Sequence, residues 1–291
     1  MIDVKEEFDG RIYEVTAGKN LRIGGQRTLP FLTIDDEIKN PPRLGIEIVA
    51  DDSIVEKTEN IEEEYKPDLL SIAFENQDST EEIVSTAYEI SKNIETPLII
   101  YGCEDPERDK EILSKCAEVL SGKNIILGYA SEENYRTIAA SAIAYGHIVI
   151  AQTSIDVNLA KQLNILLSDV GVKKNRILID PLASALGYGL EYTYSVIERI
   201  RLAGLSGDEF LAQPVICNLS VCEKAREATS QEYPGSIERR KMLWEAVTGM
   251  AFALAGADVL VFRNIKAFKA VRNKINQITG DNSGAETSRS V

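Results

Sequence analysis

Two residues of this chain stand where apolar runs give way to loops and carry groups suited to a polar ligand. Asp180 closes the run 177–180, and Asn218 closes the run 215–218. A carboxylate accepts hydrogen bonds and can hold a proton; a carboxamide donates and accepts at once, which suits the edge of a heterocycle. Past Asp180 the chain reads Pro181-Leu182-Ala183-Ser184-Ala185-Leu186-Gly187-Tyr188-Gly189, and the Gly-x-Gly pair lets backbone come close to a ligand. The glycine spacing and lysine of a phosphate cradle are missing, so phosphate binding is the weaker reading. A plainer alternative stands beside each: Asp180 and the glycines can simply bend the chain, and Asn218 can form an Asx-turn.

The other strand-end residues read as helix caps or rim positions: Gln152, Thr153 and Ser154, then Cys103 and Glu104, then Arg263. The four cysteines, Cys103, Cys116, Cys217 and Cys222, form no C-x2-C pair, and His147 is the sole histidine. That argues against a structural zinc or an iron–sulfur cluster held by this chain and for free thiols in a reducing compartment. His147 begins its apolar run and so lies at the far end from Cys103, which leaves Cys–His and Ser-His-Asp chemistry without a base. The segment 219–236, with Glu223, Arg226, Tyr233 and Gly235, is the longest after any run, as expected of a lid or a partner contact.

What positions these residues is a repeat. Apolar, β-branched runs at 44–49, 69–73, 98–101, 125–128, 147–151, 177–180, 215–218 and 259–262 alternate with amphipathic stretches. Uninterrupted apolar strands belong to parallel sheets covered on both faces, and eight successive βα units in a chain of 291 residues predict a single (β/α)8 TIM barrel, an α/β fold with its sites on the loops after the strands. Residues 1–43 read as an N-terminal extension whose β-hairpin, within 11–31, plugs the far mouth; residues 44–279 read as the barrel, and 280–291 as a disordered tail. Helix starts are predicted at Asp105-Pro106, at Ser131-Glu132-Glu133 and at a capping box Thr153-x-x-Asp156, with a stop at Gly171. Leu243, Val247, Met250 and Leu254 form a helical stripe expected to pack on the barrel.

Net charge is −14 without a basic stripe, which disfavours nucleic acid as a partner. No apolar run has membrane-spanning length and the start is polar and acidic, so a cytoplasmic protein is expected.

The stretches TLPF (28–31), ENY (133–135), IDVNLAKQLNILL (155–167), IDP…LGYGLEYTYSVIERIRLAGL (179–205) and EYPG…LWEAVT (232–248) resemble the small subunit of the corrinoid iron–sulfur protein. The archaeal counterpart of that family is the acetyl-CoA decarbonylase/synthase delta subunit. The resemblance implies a heterodimer with a large subunit that carries a [4Fe–4S] cluster and most contacts to a corrinoid (cobalamin). It implies methyl transfer between a methyl-tetrahydropterin methyltransferase and CO dehydrogenase/acetyl-CoA synthase in the reductive acetyl-CoA (Wood–Ljungdahl) pathway. On that basis Thr153, Ser154, Asp180, Leu182, Gly187, Tyr188, Gly189 and Asn218 are the expected corrinoid-facing residues, in a subunit that is non-catalytic or co-catalytic. The Asp180 and Asn218 motifs are also similar to those of pterin-binding barrels such as dihydropteroate synthases, which would make the chain an enzyme by itself. Those barrels use further Asp and Asn residues where this chain has Gly102-Cys103-Glu104 and Tyr129-Ala130. An aldolase or lyase would need a strand-end lysine or a metal cluster, and the sequence offers neither.

Overall fold

The protein is described here from a computed structural model covering residues 8–32, 40–74, 79–103, 105–187 and 189–280. Glu104, Tyr188 and the segment 281–291, named in the sequence reading, lie outside the described residues. The chain opens with an antiparallel hairpin, β1 (Glu14–Ala17) and β2 (Leu21–Gly24), paired Glu14 with Gly24 through Ala17 with Leu21. Eight parallel strands follow: β3 (Arg43–Val49), β4 (Leu69–Ala73), β5 (Leu98–Tyr101), β6 (Ile126–Ala130), β7 (Ile148–Gln152), β8 (Ile177–Asp180), β9 (Ile216–Asn218) and β10 (Val259–Phe262). They run in the order β8-β7-β6-β5-β4-β3-β10-β9. A parallel bridge between Ile179 and Val215, with Ile179 N–H donating to Pro214 O at 2.8 Å, brings the two edges together into the expected barrel.

Helices cover its outside: α1 (Ile54–Tyr65), α2 (Thr80–Asn93), α3 (Pro106–Val119), α4 (Tyr135–Tyr145), α5 (Val157–Asp169), α6 (Leu190–Leu205), the single turn α7 (Arg226–Thr229), α8 (Ile237–Ala255) and α9 (Ile265–Thr279). No helix among the described residues is long and apolar enough to cross a membrane.

Two cores follow from the period-two alternation of the strands. One lies between strands and helices. The other fills the barrel with Leu69, Ile99, Ile126, Ile148, Ile150, Leu178, Ile216, Val259 and Val261, and Val15, Ala17 and Ile23 of the hairpin belong to it. The hairpin is therefore a plug: its apolar face closes the N-terminal mouth, leaving the C-terminal mouth open.

Local details depart from the sequence reading in four places. β6 runs to Ala130, past the expected end at 128, and its register against β7 shifts between Leu127 and Ala130. That bulge carries Tyr129 to the mouth. The fourth helix starts later than Ser131, because Asn134 stands at its N-cap and turns its Oδ1 back to accept the Ser131 N–H at 2.8 Å. The fifth helix is capped by Asp156 itself, which accepts from Asn158 N–H and Leu159 N–H, so Thr153 forms no capping box.

Of the stripe Leu243, Val247, Met250 and Leu254, only Met250 packs against the core; Leu243, Val247 and Leu254 are 40%, 48% and 50% exposed. Glu245, Thr248, Gly249, Phe252 and Ala253 are the buried face instead. A Cβ on Gly249 would stand 2.8 Å from Leu219 and 2.9 Å from the Phe262 ring, so close approach at a glycine selects that face over the bulkier stripe.

Candidate functional site

The open mouth holds a cavity of about 900 Å³. Its polar lining comes from inward-pointing positions at or near the strand ends: Glu47 of β3, Tyr101 of β5, Gln152 of β7, Asp180 of β8, Asn218 of β9 and Arg263 just past β10. Inward alternation explains the set, since Asp180 follows Leu178 by two residues and Asn218 follows Ile216, while Arg263 follows Val261.

These groups are tied to one another. Asn218 Nδ2 donates to Glu47 Oε1 at 2.6 Å, and its own Oδ1 accepts Ser220 N–H at 2.9 Å. Arg263 Nε donates to Glu47 Oε2 at 2.8 Å and Nη1 donates to Glu223 Oε2 at 2.8 Å. Lys241 completes the chain through Glu223 at 3.1 Å. Because Glu223 belongs to the 3-10 turn Leu219–Lys224 at the start of the long loop, Arg263 fixes that loop to the strand ends. Further on, Arg240 of α8 is 6% exposed and donates to the carbonyls of Glu227, Ser230, Tyr233, Pro234 and Gly235. The loop is wrapped round one guanidinium.

Asp180 is 2% exposed. Its Oδ2 accepts from Gln152 Nε2 at 3.2 Å and its Oδ1 from Leu182 N–H at 2.8 Å. Burial pushes its carboxyl up to about 6, against the pull of those donors. Beside it Tyr101 and Tyr129 stack with centroids 4.7 Å apart. The Tyr101 hydroxyl is buried without a hydrogen-bond partner, and burial together with the charges of Asp180 and Glu47 holds it well above the usual phenol range. The Cys103 thiol donates to Asp109 Oδ1 at 3.3 Å, and burial and that carboxyl raise it, which keeps it a thiol. His147 lies buried at the opposite end with Nε2 donating to Ala117 O at 2.8 Å.

Of the residues singled out from sequence, Asp180, Leu182 and Asn218 line the cavity. Thr153, Ser154, Gly187 and Gly189 stand outside its lining: Ser154 is exposed, Gly187 lies against Glu227, and Gly189 precedes α6. Thr153 N–H donates to Asp180 O at 3.1 Å, and its hydroxyl is buried without a partner. Sequence reasoning passed over Glu47, Tyr101, Tyr129 and Asn134 and left Gln152 and Arg263 as caps or rim. Counting two residues on from each inward apolar side chain would have found Tyr101, Gln152 and Arg263; Glu47 follows Gly45, which gives no such signal. Nothing in the sequence signalled the bulge that delivers Tyr129.

The fold and this mouth define a (β/α)8 barrel of the dihydropteroate synthase shape. The Burkholderia cenocepacia dihydropteroate synthase complexed with 7,8-dihydropteroate superposes with a TM-score of 0.61 at 13% identity, covering 93% of this chain and 98% of that one. The Xanthomonas albilineans enzyme in complex with 7,8-dihydropteroate gives 0.59 at 16% identity over 82% and 94%. At such identities the likeness is one of fold. Sequence carries the family: the family model for the CO dehydrogenase/acetyl-CoA synthase delta subunit matches residues 17–274, and the chain belongs to that family. Acetyl-CoA decarbonylase/synthase complex subunit delta of Archaeoglobus fulgidus is 30% identical over 96% of this chain and 71% of its own length. The subunit delta 1 of Methanosarcina thermophila is 32% identical over 84% and 63%, and the Methanopyrus kandleri subunit 36% identical over 69% and 52%. The chain thus spans between about half and three quarters of the length of such relatives.

Proposed function

We propose that this delta-family subunit covers, with its C-terminal mouth, a corrinoid held by a larger partner subunit that also bears a [4Fe–4S] cluster. The pair would carry a methyl group between a methyl-tetrahydropterin methyltransferase and CO dehydrogenase/acetyl-CoA synthase, in the cytoplasm, where the four buried cysteines stay reduced. The observation that carries this reading is how the mouth uses its polar groups. Glu47, Asn218, Arg263 and Glu223 are engaged with each other rather than aimed as nucleophile and base, and the Cys103 thiol is held protonated.

The residues fit a corrinoid's face rather than its metal. Among the described residues no three His, Cys, Asp or Glu side chains gather to hold an ion, and this reading assigns the cluster to the partner. Phe74, Leu182 and Val221 offer apolar contact to the ring. When bound, the corrinoid supplies the cobalt that carries the methyl group. This chain's part is to exclude water above it.

The test is co-purification of the full chain. A larger partner with corrinoid absorbance and iron is expected, and Ser220→Arg, which puts a long cation into the mouth, should release it. A colourless monomer, or a partner that ignores Ser220→Arg, would overturn the reading.

A second reading rests on the depth of the cavity and its stacked tyrosines. A planar pterin, as in the dihydropteroate synthases that share the fold, would lie against Tyr101 and Tyr129 with its edge on Asp180. Titration with a methyl-tetrahydropterin decides it: micromolar binding lost in Asp180→Ala or Asn218→Ala favours an enzyme in its own right.

A further inference from the structure

Leu182 is a bulky residue held in a conformation that glycine or asparagine would adopt with less strain. Its φ is +56°, in the left-handed region, where an L side chain crowds its own backbone. Asn40 and Asn124 also have positive φ, but asparagine tolerates it; Lys66 ends α1 there, and Phe31, at the same φ of +56°, packs its ring against the core. At Leu182 no such excuse applies. Nor does burial offset the strain, because the side chain is 47% exposed at the rim of the mouth. The conformation is imposed by Asp180, whose Oδ1 accepts the Leu182 N–H at 2.8 Å, while Gln152 Nε2 donates to Oδ2 and steadies the carboxylate. An exposed apolar side chain kept under strain beside an open cavity marks a contact made in another state of the molecule.

We propose that Leu182 is a contact residue for the corrin ring and that Asp180 is its positioning residue. Asp180 does not itself touch the ring: it lies beneath the rim and holds Leu182 up to it. This rests on the reading that a corrinoid-bearing partner sits on the mouth, and it divides the two residues into separate roles.

The experiment compares wild type, Leu182→Gly, Leu182→Met, Asp180→Asn and Asp180→Ala. Three quantities are read: the melting temperature of the full chain, its dissociation constant for the corrinoid-loaded partner that co-purifies with wild type, and the shift in the corrinoid absorption spectrum on docking. Leu182→Gly should melt a few degrees higher and bind about five- to tenfold more weakly, with a smaller spectral shift. Leu182→Met keeps the apolar contact and should bind like wild type. Asp180→Asn keeps the Oδ1 acceptor and should also bind like wild type, whereas Asp180→Ala should bind like Leu182→Gly.

A purely structural leucine would lose melting temperature and affinity together, so Leu182→Gly melting lower than wild type overturns the proposal. Equal affinity of Leu182→Gly and wild type also overturns it while leaving the covering role standing. Weaker binding with an unchanged spectral shift overturns the corrin contact in favour of a protein one. Failure of wild type to bind the loaded partner at all removes the covering role, and this proposal with it.

Discussion

Asn218 and Glu47 meet at the mouth over the intervening β10: the Asn218 Nδ2 donates to Glu47 Oε1 at 2.6 Å, joining strands 171 residues apart in sequence. The carboxylate is 4% exposed and accepts Arg263 on its other oxygen. A buried ion that loses its counter-charge is left with its desolvation penalty uncompensated.

Glu47→Ala is therefore expected to destabilise the chain by about 2–4 kcal/mol, since Arg263 retains only Glu223 and partial solvent access. Glu47→Gln keeps an acceptor for Asn218 and should lose roughly half as much. Urea unfolding of the three proteins, read by circular dichroism, checks the order.

Asp180 gives stability a pH dependence of defined sign. Its folded carboxyl is raised to about 6 against an ordinary 3.8, so the folded state holds a proton that the unfolded chain releases. Ionised Asp180 thus opposes folding above pH 6, and that opposition disappears as pH falls from 6 to below 3.8. The gap corresponds to on the order of 3 kcal/mol. Asp180→Asn should be more stable than wild type at pH 8 by up to about 2–3 kcal/mol, with the advantage gone near pH 4. Melting curves across that range test it; an advantage that grows towards acid pH would refute the sign.

Arg240 should govern the order of the loop it binds. Arg240→Ala leaves five carbonyls to find other partners, and a loss of about 2–4 kcal/mol is expected. Hydrogen exchange should accelerate across 227–236 and stay unchanged in β3 to β5. Arg240→Lys cannot span the same fork of carbonyls and should rescue little.

The two faces of α8 should respond in opposite ways. Gly249→Ala drives a methyl into Leu219 and Phe262 and is expected to cost about 1–3 kcal/mol. Leu243→Lys and Val247→Lys, on the exposed stripe, should stay within about 0.5 kcal/mol of wild type in the same unfolding assay.

The strands and the site's location were legible from residues alone because they depend on local pattern. Apolar runs at 69–73, 98–101, 177–180 and 259–262 coincide with β4, β5, β8 and β10, and the strand-end positions of Asp180 and Asn218 followed. What neighbours those two residues depends on closure of a ring. Glu47 sits inside an apolar run and reads as a surface charge until β3 is placed beside β10 and near β9. Arg263 reads as a rim residue until Glu47 and Glu223 converge on it.

The face of α8 was misread for a related reason. The buried face mixes Glu245 and Thr248 with Phe252 and Ala253, so apolar periodicity points elsewhere; Gly249 lets the helix approach the Phe262 ring on that face. The sequence by itself determined a barrel and the end at which its polar groups collect, since alternation and βα spacing are properties of neighbouring residues. Only the tertiary structure decided which charges compensate one another, because that depends on distances between strands far apart in the chain.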